Sequence, residues 1–410
     1  GRSRNSRSMA VWTTIISRTS TASSVVVIDR VSPEAADADI PEIWDLCSEQ
    51  AARVGADPHH GVMTTVAHGV GERLGERLGE RVQRIPATDL RSYVLAVLEE
   101  IHRVVPSTFS CFGVADPATG LLACSIKSQE PPCSDEEIVL HELAGPDVNQ
   151  FADLARRADP VGSLWLDTDG RPETCHRFAD FLEPRLGAID ELRIAFTGDG
   201  LLWAGLAMHR DRGEAPFSHS DRDVLRRMIP TVVDGLRHSL FHGAPVEGND
   251  RWIQAPAVIM VTASGFQASS AGLAAIDDLG GLDHGDLPTS MLSVVGSVRS
   301  GAPAAMVRTR DTTGRWVTIR AAPLSDGASV VLSVTATSAV ELFPLATGAF
   351  GLTRREQEVA DLVLQGTSTA AIAKALVLSP HTVQDHLKSI FRKFGVASRR
   401  DLVGRFIGTQ

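Results

Sequence analysis

Several features are scarce or missing in this chain of 410 residues, and each absence narrows its class. The five cysteines are widely spaced and form no Cys-x-x-Cys pair, so they indicate neither a zinc ribbon nor a disulfide framework. No apolar run is long enough to cross a bilayer. The sequence has neither a Gly-x-x-x-x-Gly-Lys-Ser/Thr phosphate loop nor a Gly-x-Ser-x-Gly nucleophile elbow. We therefore expect a protein of the reducing cytoplasm that makes no membrane contact.

Two short motifs contain residue types used in catalysis, but neither has the necessary context. His141-Glu142 begins like the zinc-binding helix of a metalloprotease, yet no second histidine follows four positions after the first. Cys175 and His176 are merely adjacent, whereas an activated nucleophile needs a base that converges on it in space. The sequence thus predicts no enzyme, no metal site and no cofactor.

The first 40 residues give weak structural signals. The opening ten are rich in arginine and serine, which is typical of a tag or an extended start. The run Val25–Asp29 has the composition of the first strand of a phosphoacceptor receiver, but the acidic pair that should follow such a strand is missing. We expect residues 1–40 to be a disordered leader or tag.

Residues 41–105 are predicted to be helical and to lead into the domain that follows. One amphipathic helix starts at Pro41, and a second runs from Asp89 to Val105. Between them Gly-Glu-Arg-Leu repeats, with Glu and Arg recurring every four residues as on an exposed helix. The repeat carries a narrow apolar stripe of Val70, Leu74, Leu78 and Val82. This stripe is interpreted as a subunit seam or as the underside of a surface helix, and we favour the seam.

Residues 106–245 show the pattern of an α+β domain. The predicted strands are Phe109–Ala115, Leu121–Ile126, Gly162–Leu166, Glu191–Phe196 and Leu201–His209, with helices at Ile138–Arg157 and after Ser218. The order resembles a GAF sensor domain, through Asp190-Glu191-Leu192-Arg193, Leu202-Trp203-Ala204-Gly205-Leu206, and Phe217-Ser218 with Asp221. The resemblance implies a small ligand held between the sheet and its covering loops. A structural module that relays contacts is the alternative.

Residues 253–340 are predicted to form a smaller α+β domain. Its expected elements are a strand at Ala257–Val261, helices at Leu273–Leu279 and Pro288–Arg299, and strands at Ala304–Thr309, Trp316–Ala321 and Ser329–Thr335. This order is similar to a small PAS-like domain. A plain linker domain is an equal alternative.

The segment 350–410 has the signals of four short helices. Thr353 and Glu356 form a predicted capping box, and the first helix should stop at Gly366. Ser368 is the next N-cap, and Ser379 followed by Pro380 starts a third helix. The apolar residues of this third helix fall on one side, namely Val383, Leu387, Ile390, Phe391 and Phe394. Its polar side can then enter the major groove of DNA.

The charge distribution supports this interpretation. Residues 351–410 contain nine Lys or Arg and five Asp or Glu, a net charge of +4, whereas the whole chain has −10. The first 350 residues therefore carry −14. Positive charge is concentrated in the segment that would need to meet phosphates.

The same segment resembles the LuxR/FixJ/NarL helix-turn-helix family. The resemblance is carried by Leu352-Thr353, Arg355-Glu356, Gly366, Ile372-Ala373, Leu376, Leu378-Ser379, Thr382-Val383, His386-Leu387, Ile390, Lys393 and Gly395-Val396. It implies that Pro380–Phe394 is the recognition helix and that the fourth helix pairs two subunits. Gln384 stands where the family often has lysine, and Ala371 where it often has an acidic residue. The first departure favours adenine over guanine, because glutamine and lysine bond different base edges.

These observations predict a multidomain protein with a GAF-like α+β sensor domain, a smaller PAS-like α+β domain and an all-α four-helix helix-turn-helix domain. The expected DNA-binding residues are His381, Thr382, Gln384, Asp385, Lys388, Ser389, Arg392, Lys393, Arg399 and Arg400. The expected dimerisation residues are Leu402, Val403, Phe406 and Ile407. The ligand-binding residues stay unassigned.

The predicted function is a cytoplasmic, sequence-specific transcription regulator that binds double-stranded DNA as a homodimer under the control of an N-terminal signal. A small-molecule effector and RNA polymerase are candidate partners. One alternative is a ligand-sensing scaffold whose C-terminal bundle binds protein, and another is an enzyme with a regulatory tail. The second alternative requires a pocket of convergent acid and base residues, which the sequence does not indicate.

Overall fold

The structure is a computed structural model that describes residues 15–17, 25–27, 62–143, 145–241, 255–282 and 285–407. The chain forms two compact units, one up to Gly71 and one from Glu72 onward. In the first unit, strand β1 (Ile15–Ser17) pairs antiparallel with β2 (Val25–Val27). The leader predicted to be disordered over residues 1–40 therefore contains two short paired strands, and Val25–Val27 is one of them. The helix expected from Pro41 lies outside the described residues.

A first sheet domain follows the helices α1 (Val62–Gln83) and α2 (Leu90–Val104). Its strands are β3 (Phe109–Ala115), β4 (Leu122–Lys127), β5 (Val161–Ser163), β6 (Ala188–Gly198) and β7 (Leu201–Asp211). Its helices are α3 (Asp135–Leu143), α4 (Phe151–Leu154), α5 (Leu164–Asp167) and α6 (His219–Phe241), with a 3-10 turn at Pro172–Thr174 and a π-helical segment at Phe178–Leu186. The sheet is antiparallel in the order β4-β3-β7-β6-β5.

Two predictions in this domain are wrong in detail. The single helix expected over Ile138–Arg157 is two helices, α3 and α4, separated by a connection in which Asn149 has a positive φ of 58°. The strand expected over Gly162–Leu166 ends at Ser163, because the Ser163 side chain accepts from the Leu166 amide and starts α5.

The apolar stripe of the Gly-Glu-Arg-Leu repeat is not a subunit seam where its side chains are described. Leu78 and Val82 are buried in the chain's own core, and Leu74 packs against it. A β-carbon placed on Gly75 would lie 2.7 Å from Arg227 Cδ, so the glycine allows α1 to approach α6 closely. From Leu74 to Val82 the stripe is therefore the underside of a helix that packs inside one chain.

The second sheet domain contains β8 (Ala257–Thr262), β9 (Gly265–Ala268), β10 (Ala305–Arg310), β11 (Trp316–Pro323) and β12 (Val330–Ala336). Its helices are α7 (Ser270–Asp278) and α8 (Thr289–Arg299). The antiparallel sheet has the order β10-β11-β12-β8-β9. Counted within each domain, both sheets therefore share one order: second, first, fifth, fourth, third. The sequence pattern missed β9, which is a short edge strand whose residues are exposed or half-buried.

A further helix, α9 (Ala339–Ala349), connects this domain to the C-terminal helices and was missing from the predictions. Pro344 and Gly348 within it disfavour a helix interior. It forms because Ser338 and Glu341 make a capping box at its start. Its apolar residues are buried in the core: Leu342, Phe343, Leu345, Ala346 and Ala349.

The C-terminal domain consists of α10 (Arg354–Leu364), α11 (Thr369–Ala375), α12 (Pro380–Phe394) and α13 (Arg399–Ile407). The four helices predicted from caps and apolar spacing are thus present. Their core is continuous with that of α9 and of the first sheet domain. None of the described helices combines the length and apolar character needed to cross a membrane.

Four aromatic side chains join these parts of the chain, and we call them the aromatic chain. Trp316 of β11 stacks on Phe241 at the end of α6, with ring centroids 5.2 Å apart. Phe350, directly after α9, contacts Phe241 at 5.8 Å and Phe394 of α12 at 4.5 Å. The end of α12 is therefore connected through aromatic packing to both sheet domains.

A buried ion pair forms a second connection. Asp116, at the β3–β4 turn, accepts from the backbone N and from Nε of Arg308 in β10, each at 2.9 Å. Nη1 of Arg308 also donates to the Glu341 carbonyl in α9 at 3.0 Å, and Glu341 pairs with Arg320. Because Asp116 and Arg308 are both buried, this contact fixes the two sheet domains and α9 together.

Candidate nucleic-acid interface

Helix α12 is defined at both ends by its own sequence. The Ser379 hydroxyl accepts from the Thr382 amide at 3.0 Å, and Pro380 occupies the first turn. At the other end Gly395 adopts a left-handed conformation with φ 65° and closes the helix. These local signals set the length and direction of the helix predicted to contact bases.

The two sides of α12 differ as the apolar spacing predicted. Val383, Leu387, Ile390 and Phe394 are buried against the other helices. The opposite side is exposed to solvent and carries His381, Gln384, Asp385, Lys388 and Arg392. The His381 and Lys388 side chains are 84% and 74% exposed. A polar surface of this kind can approach a duplex without rearrangement of the domain.

Exposed charges on this surface pair only loosely with one another. Asp385 lies 3.8 Å from His381 Nδ1 and 3.5 Å from Lys388 Nζ. Exposed pairs of this length contribute little to stability and can be exchanged for contacts with a ligand. The side chains are thus available to phosphates or base edges.

A buried carboxylate, Glu356, attaches α10 to α12. It completes the predicted capping box by accepting from the Thr353 amide at 2.7 Å, and it also accepts from Lys393 Nζ at 2.6 Å. Lys393 donates in addition to the Gly351 carbonyl at 2.8 Å. Burial alone would raise the pKa of Glu356, but hydrogen bonds from Lys393, Ser389 and Thr353 outweigh it and lower the pKa to about 2.

Two of the predicted phosphate contacts therefore have other partners. Lys393 is committed to Glu356 and Gly351 inside the domain. Arg399 donates to the carbonyls of Val363 at 3.2 Å and Thr367 at 2.7 Å, so it caps the end of α10. The Lys393 ammonium group and the Arg399 guanidinium group are thus both bonded within the domain in this structure. Sequence alone did not separate these cations from Lys388, Arg392 and the exposed Arg400.

The two predicted hydroxyl contacts lie at the margin of the exposed surface. Thr382 is half-buried, and its hydroxyl is 2.8 Å from that of Ser379. Ser389 is also half-buried and contributes to the hydrogen bonds that lower the pKa of Glu356.

The turn between α11 and α12 contains a strained residue that the sequence pattern missed. Val377 has a positive φ of 55°, a conformation that a β-branched residue rarely adopts, and its side chain is 90% exposed. Arg355 of α10 lies 21 residues before Leu376 in the sequence, and it donates to the Leu376 carbonyl and so holds this turn against α10. The capping box could have signalled the role of Glu356, but no local signal identifies the Arg355 contact.

The role in dimerisation predicted for the fourth helix, α13, stays a prediction, and the structure describes only two of its four proposed contact side chains. Leu402 is buried in the domain's own core, so it does not belong to an exposed strip. Val403 is half-buried, and the Phe406 and Ile407 side chains lie outside the described residues. Helix α13 also contacts α9 within the same chain. The apolar strip expected from sequence is therefore narrower than predicted.

The motifs with catalytic residue types have structural partners. His141 stacks on Phe181 with centroids 4.5 Å apart, and Glu142 pairs with Arg193 at 2.6 Å. The Cys175 thiol donates to Asp147 at 3.2 Å, and burial raises its pKa to about 11. Over the described ranges no group of three or more His, Cys, Asp and Glu side chains is arranged to hold a metal ion.

Comparison with known proteins assigns the C-terminal domain. The family described as bacterial regulatory proteins, luxR family, matches residues 351–406. The spore germination protein GerE of Bacillus subtilis is 40% identical over 52 residues, which are 13% of this chain and 70% of GerE. The chain belongs to the luxR family. Its helices α10 to α13 are a luxR-type helix-turn-helix domain, as the sequence resemblance implied.

Other similarities are narrower. A putative HTH-type transcriptional regulator of Aeromonas salmonicida is 44% identical over 70 residues, which are 17% of this chain. The chain spans only 36% of the length of that relative. The crystal structure of a Vibrio cholera VqmA–ligand–DNA complex aligns at 19% identity over 38% of this chain and 82% of VqmA, with a TM-score of 0.20. At that TM-score the similarity carries no conclusion about the N-terminal domains.

Proposed function

We propose that this protein regulates transcription by binding a specific DNA sequence as a homodimer, under the control of its two sheet domains. The observation that carries the proposal is the exposed polar side of α12 in a luxR-type domain. Lys388, Arg392 and Arg400 would contact phosphates, while Gln384 and Asp385 would lie nearest the bases. Since its target is DNA, the proposal places the protein in the cytoplasm, and contact with RNA polymerase stays a prediction.

DNA binding is tested with oligonucleotides selected from a random pool by the whole protein. The selected sequence should bind far more tightly than a shuffled one, and the affinity for both should fall steeply between 50 and 200 mM salt, about the range over which counterion release acts. A protein-binding scaffold would instead retain no sequence preference. That result would contradict the proposal.

Two copies are proposed because one recognition helix contacts too few base pairs to specify a genomic site. In a dimer, two half-sites about one helical turn apart would each receive one α12. Sedimentation of the protein with its selected duplex should give two chains per duplex. A complex with one chain at saturation would show that the fourth helix does not pair subunits.

Control by the sheet domains would act through the aromatic chain and the Asp116–Arg308 pair. The aromatic chain ends within the DNA-binding domain, because Phe350 contacts Phe394 of α12. The ion pair ends on α9, directly before that domain, because Arg308 donates to the Glu341 carbonyl near the start of α9. In the described state α13 contacts α9, which leaves less of α13 for a second copy. We propose that a signal loosens this arrangement and so shifts the population toward the DNA-binding dimer.

The coupling is tested by Trp316→Ala, which removes the aromatic ring farthest from α12 in the aromatic chain. DNA affinity should rise about fivefold or more, the lower range of typical coupling free energies. Trp165→Ala is the matched control, because Trp165 is a partly exposed tryptophan in α5 of the first sheet domain. Equal affinities of Trp316→Ala, Trp165→Ala and the parent protein would contradict coupling through these rings.

A further inference from the structure

Val377, in the turn before α12, combines a strained backbone with an almost fully exposed side chain. Its φ of 55° lies in the left-handed region, and its side chain is 90% exposed. The other non-glycine residues with a positive φ in the described ranges are all asparagine or aspartate: Asn149, Asp169 and Asp199. Asparagine and aspartate tolerate this conformation, whereas a β-branched side chain is strained in it. Local backbone preference therefore does not explain the valine.

The same kind of helix ending occurs after α10, α11 and α12, and only α11 uses a valine for it. The left-handed residue is Gly366 after α10, Val377 after α11 and Gly395 after α12. In each case the next amide donates to the carbonyl five positions before it, at 2.8 or 2.9 Å. Since glycine serves this ending twice in the same domain, formation of the turn does not require valine.

The side chains on either side of Val377 pack inward. Leu376 and Leu378 are partly buried against the core, and Arg355 donates to the Leu376 carbonyl. These contacts fix the turn on the domain while Val377 faces solvent. Single exposed apolar side chains are common on protein surfaces, but backbone strain of this kind concentrates at functional sites. The strain and the exposure together indicate that the valine acts on something outside the domain.

Val377 stands next to the end of α12 that is proposed to meet the bases. It lies two residues before the N-cap Ser379 and four before His381, whose side chain is 84% exposed. The first residues of a recognition helix contact base edges in the major groove. Because consecutive Cα atoms are about 3.8 Å apart, the Cα atom of Val377 is at most about 8 Å from that of Ser379. Of the base edges in that groove, only thymine presents a methyl group to an apolar side chain.

We propose that Val377 contacts the C5-methyl group of a thymine at the part of the half-site that meets the start of α12. This inference rests on the proposed function and adds to it a specificity-determining residue that lies outside the recognition helix. The fixed turn holds the valine in place before DNA binds, so little conformational freedom is lost on contact. Glycine would relieve the strain but would leave the thymine methyl group exposed to water.

The test uses the whole protein and the duplex selected under the proposed function, with each thymine of one half-site replaced in turn by deoxyuridine. This replacement removes only the methyl group of the base. In the parent protein one replacement should weaken binding about fourfold, as expected when one methyl group is no longer buried. In Val377→Gly the same replacement should have no effect, because the side chain that buries the methyl group is absent.

Val377→Ile is the matched control, because isoleucine keeps the β-branch, the strained backbone and the apolar surface. This variant should retain the fourfold penalty at the same thymine. Hydrogen exchange of the α12 amides checks that the fold is intact. Protection in Val377→Gly should be no lower than in the parent protein, because glycine adopts the left-handed conformation without strain.

Equal penalties in the parent protein and in Val377→Gly at every thymine would overturn the proposal. A parent protein that tolerates every deoxyuridine replacement would overturn it as well. Lower α12 protection in Val377→Gly would show that the valine supports the turn itself, which also contradicts the proposal. A parent protein without sequence preference for the unmodified duplex would contradict the proposed function and this contact with it, so the two failures are distinguished.

Discussion

The positive charges of the helix-turn-helix domain divide into two groups that the sequence does not distinguish. The held cations, Arg355, Lys393 and Arg399, donate to carbonyl or carboxylate groups of the domain itself. The exposed cations, Lys388, Arg392 and Arg400, lie on the solvent side. The first group stabilises the arrangement of helices, and the second is available to phosphates.

Lys388 and Lys393 illustrate how small the difference is. Five positions at roughly 100° per residue place them about 140° apart around α12. Lys393 therefore faces α10 and contacts Glu356, whereas Lys388 faces solvent. Net charge measures how strongly a domain can attract DNA, but the tertiary contacts decide which cations can reach it.

The largest effect, a loss of local stability, is expected when a held cation loses its carboxylate partner. Glu356→Ala removes the acceptor of Lys393 and of the Thr353 amide, and should lower the local stability of α10 and α12 by about 3 kcal/mol. Hydrogen exchange of the α12 amides in the whole protein measures this local opening. Glu358→Ala is the control, because Glu358 lies in the same helix but makes partly exposed pairs. Equal loss of protection in both variants would contradict a special role for Glu356.

The same carboxylate predicts a pH dependence. The folded pKa of Glu356 is lowered to about 2 from an ordinary value of 4.5. Its contribution is therefore complete above pH 4.5 and is lost as pH falls through that value toward 2. Amide protection of α12 should decrease over this window more in the parent protein than in Glu356→Ala. Parallel profiles in the two proteins would indicate that another group titrates.

Base preference should change when the exposed side of α12 is altered and the held cations are left intact. Gln384→Lys is expected to shift the preferred base from adenine to guanine, a discrimination of about 1–3 kcal/mol. Oligonucleotide selection with the variant detects the shift. Gln365→Lys adds the same charge at an exposed position at the end of α10, and should leave the selected sequence unchanged. A shift in both variants would mean that charge alone, rather than the position on α12, sets the preference.

The smallest effect is expected when a single lysine is removed, and it compares an exposed cation directly with a held one. Lys388→Ala should lower the salt slope of DNA affinity by about one unit and leave α12 protection unchanged. Lys393→Ala should leave the salt slope unchanged and lower the protection of the α12 amides, because the Lys393 ammonium group is bonded inside the domain. Titration of DNA binding at several salt concentrations gives both slopes. Equal decreases in slope would erase the distinction between held and exposed cations.

Much of the fold followed from local sequence signals. Capping residues such as Thr353, Ser368 and Ser379 mark helix starts, and Gly395 marks an end, because each satisfies backbone groups within a few residues. Alternating patterns likewise predicted most strands of both sheets. Helix α9 and strand β9 were missed, since α9 contains Pro344 and Gly348 and β9 has a weak apolar pattern.

What the sequence alone determined is the set of helices at the C terminus, their apolar and polar sides, and the family to which that domain belongs. Only the tertiary structure decided that Lys393 and Arg399 are held, that Leu402 is buried, and that the stripe of α1 packs within the chain. The physical reason is distance along the chain. A cap or a periodicity is completed within one helix, whereas these contacts join residues that lie tens or hundreds of positions apart.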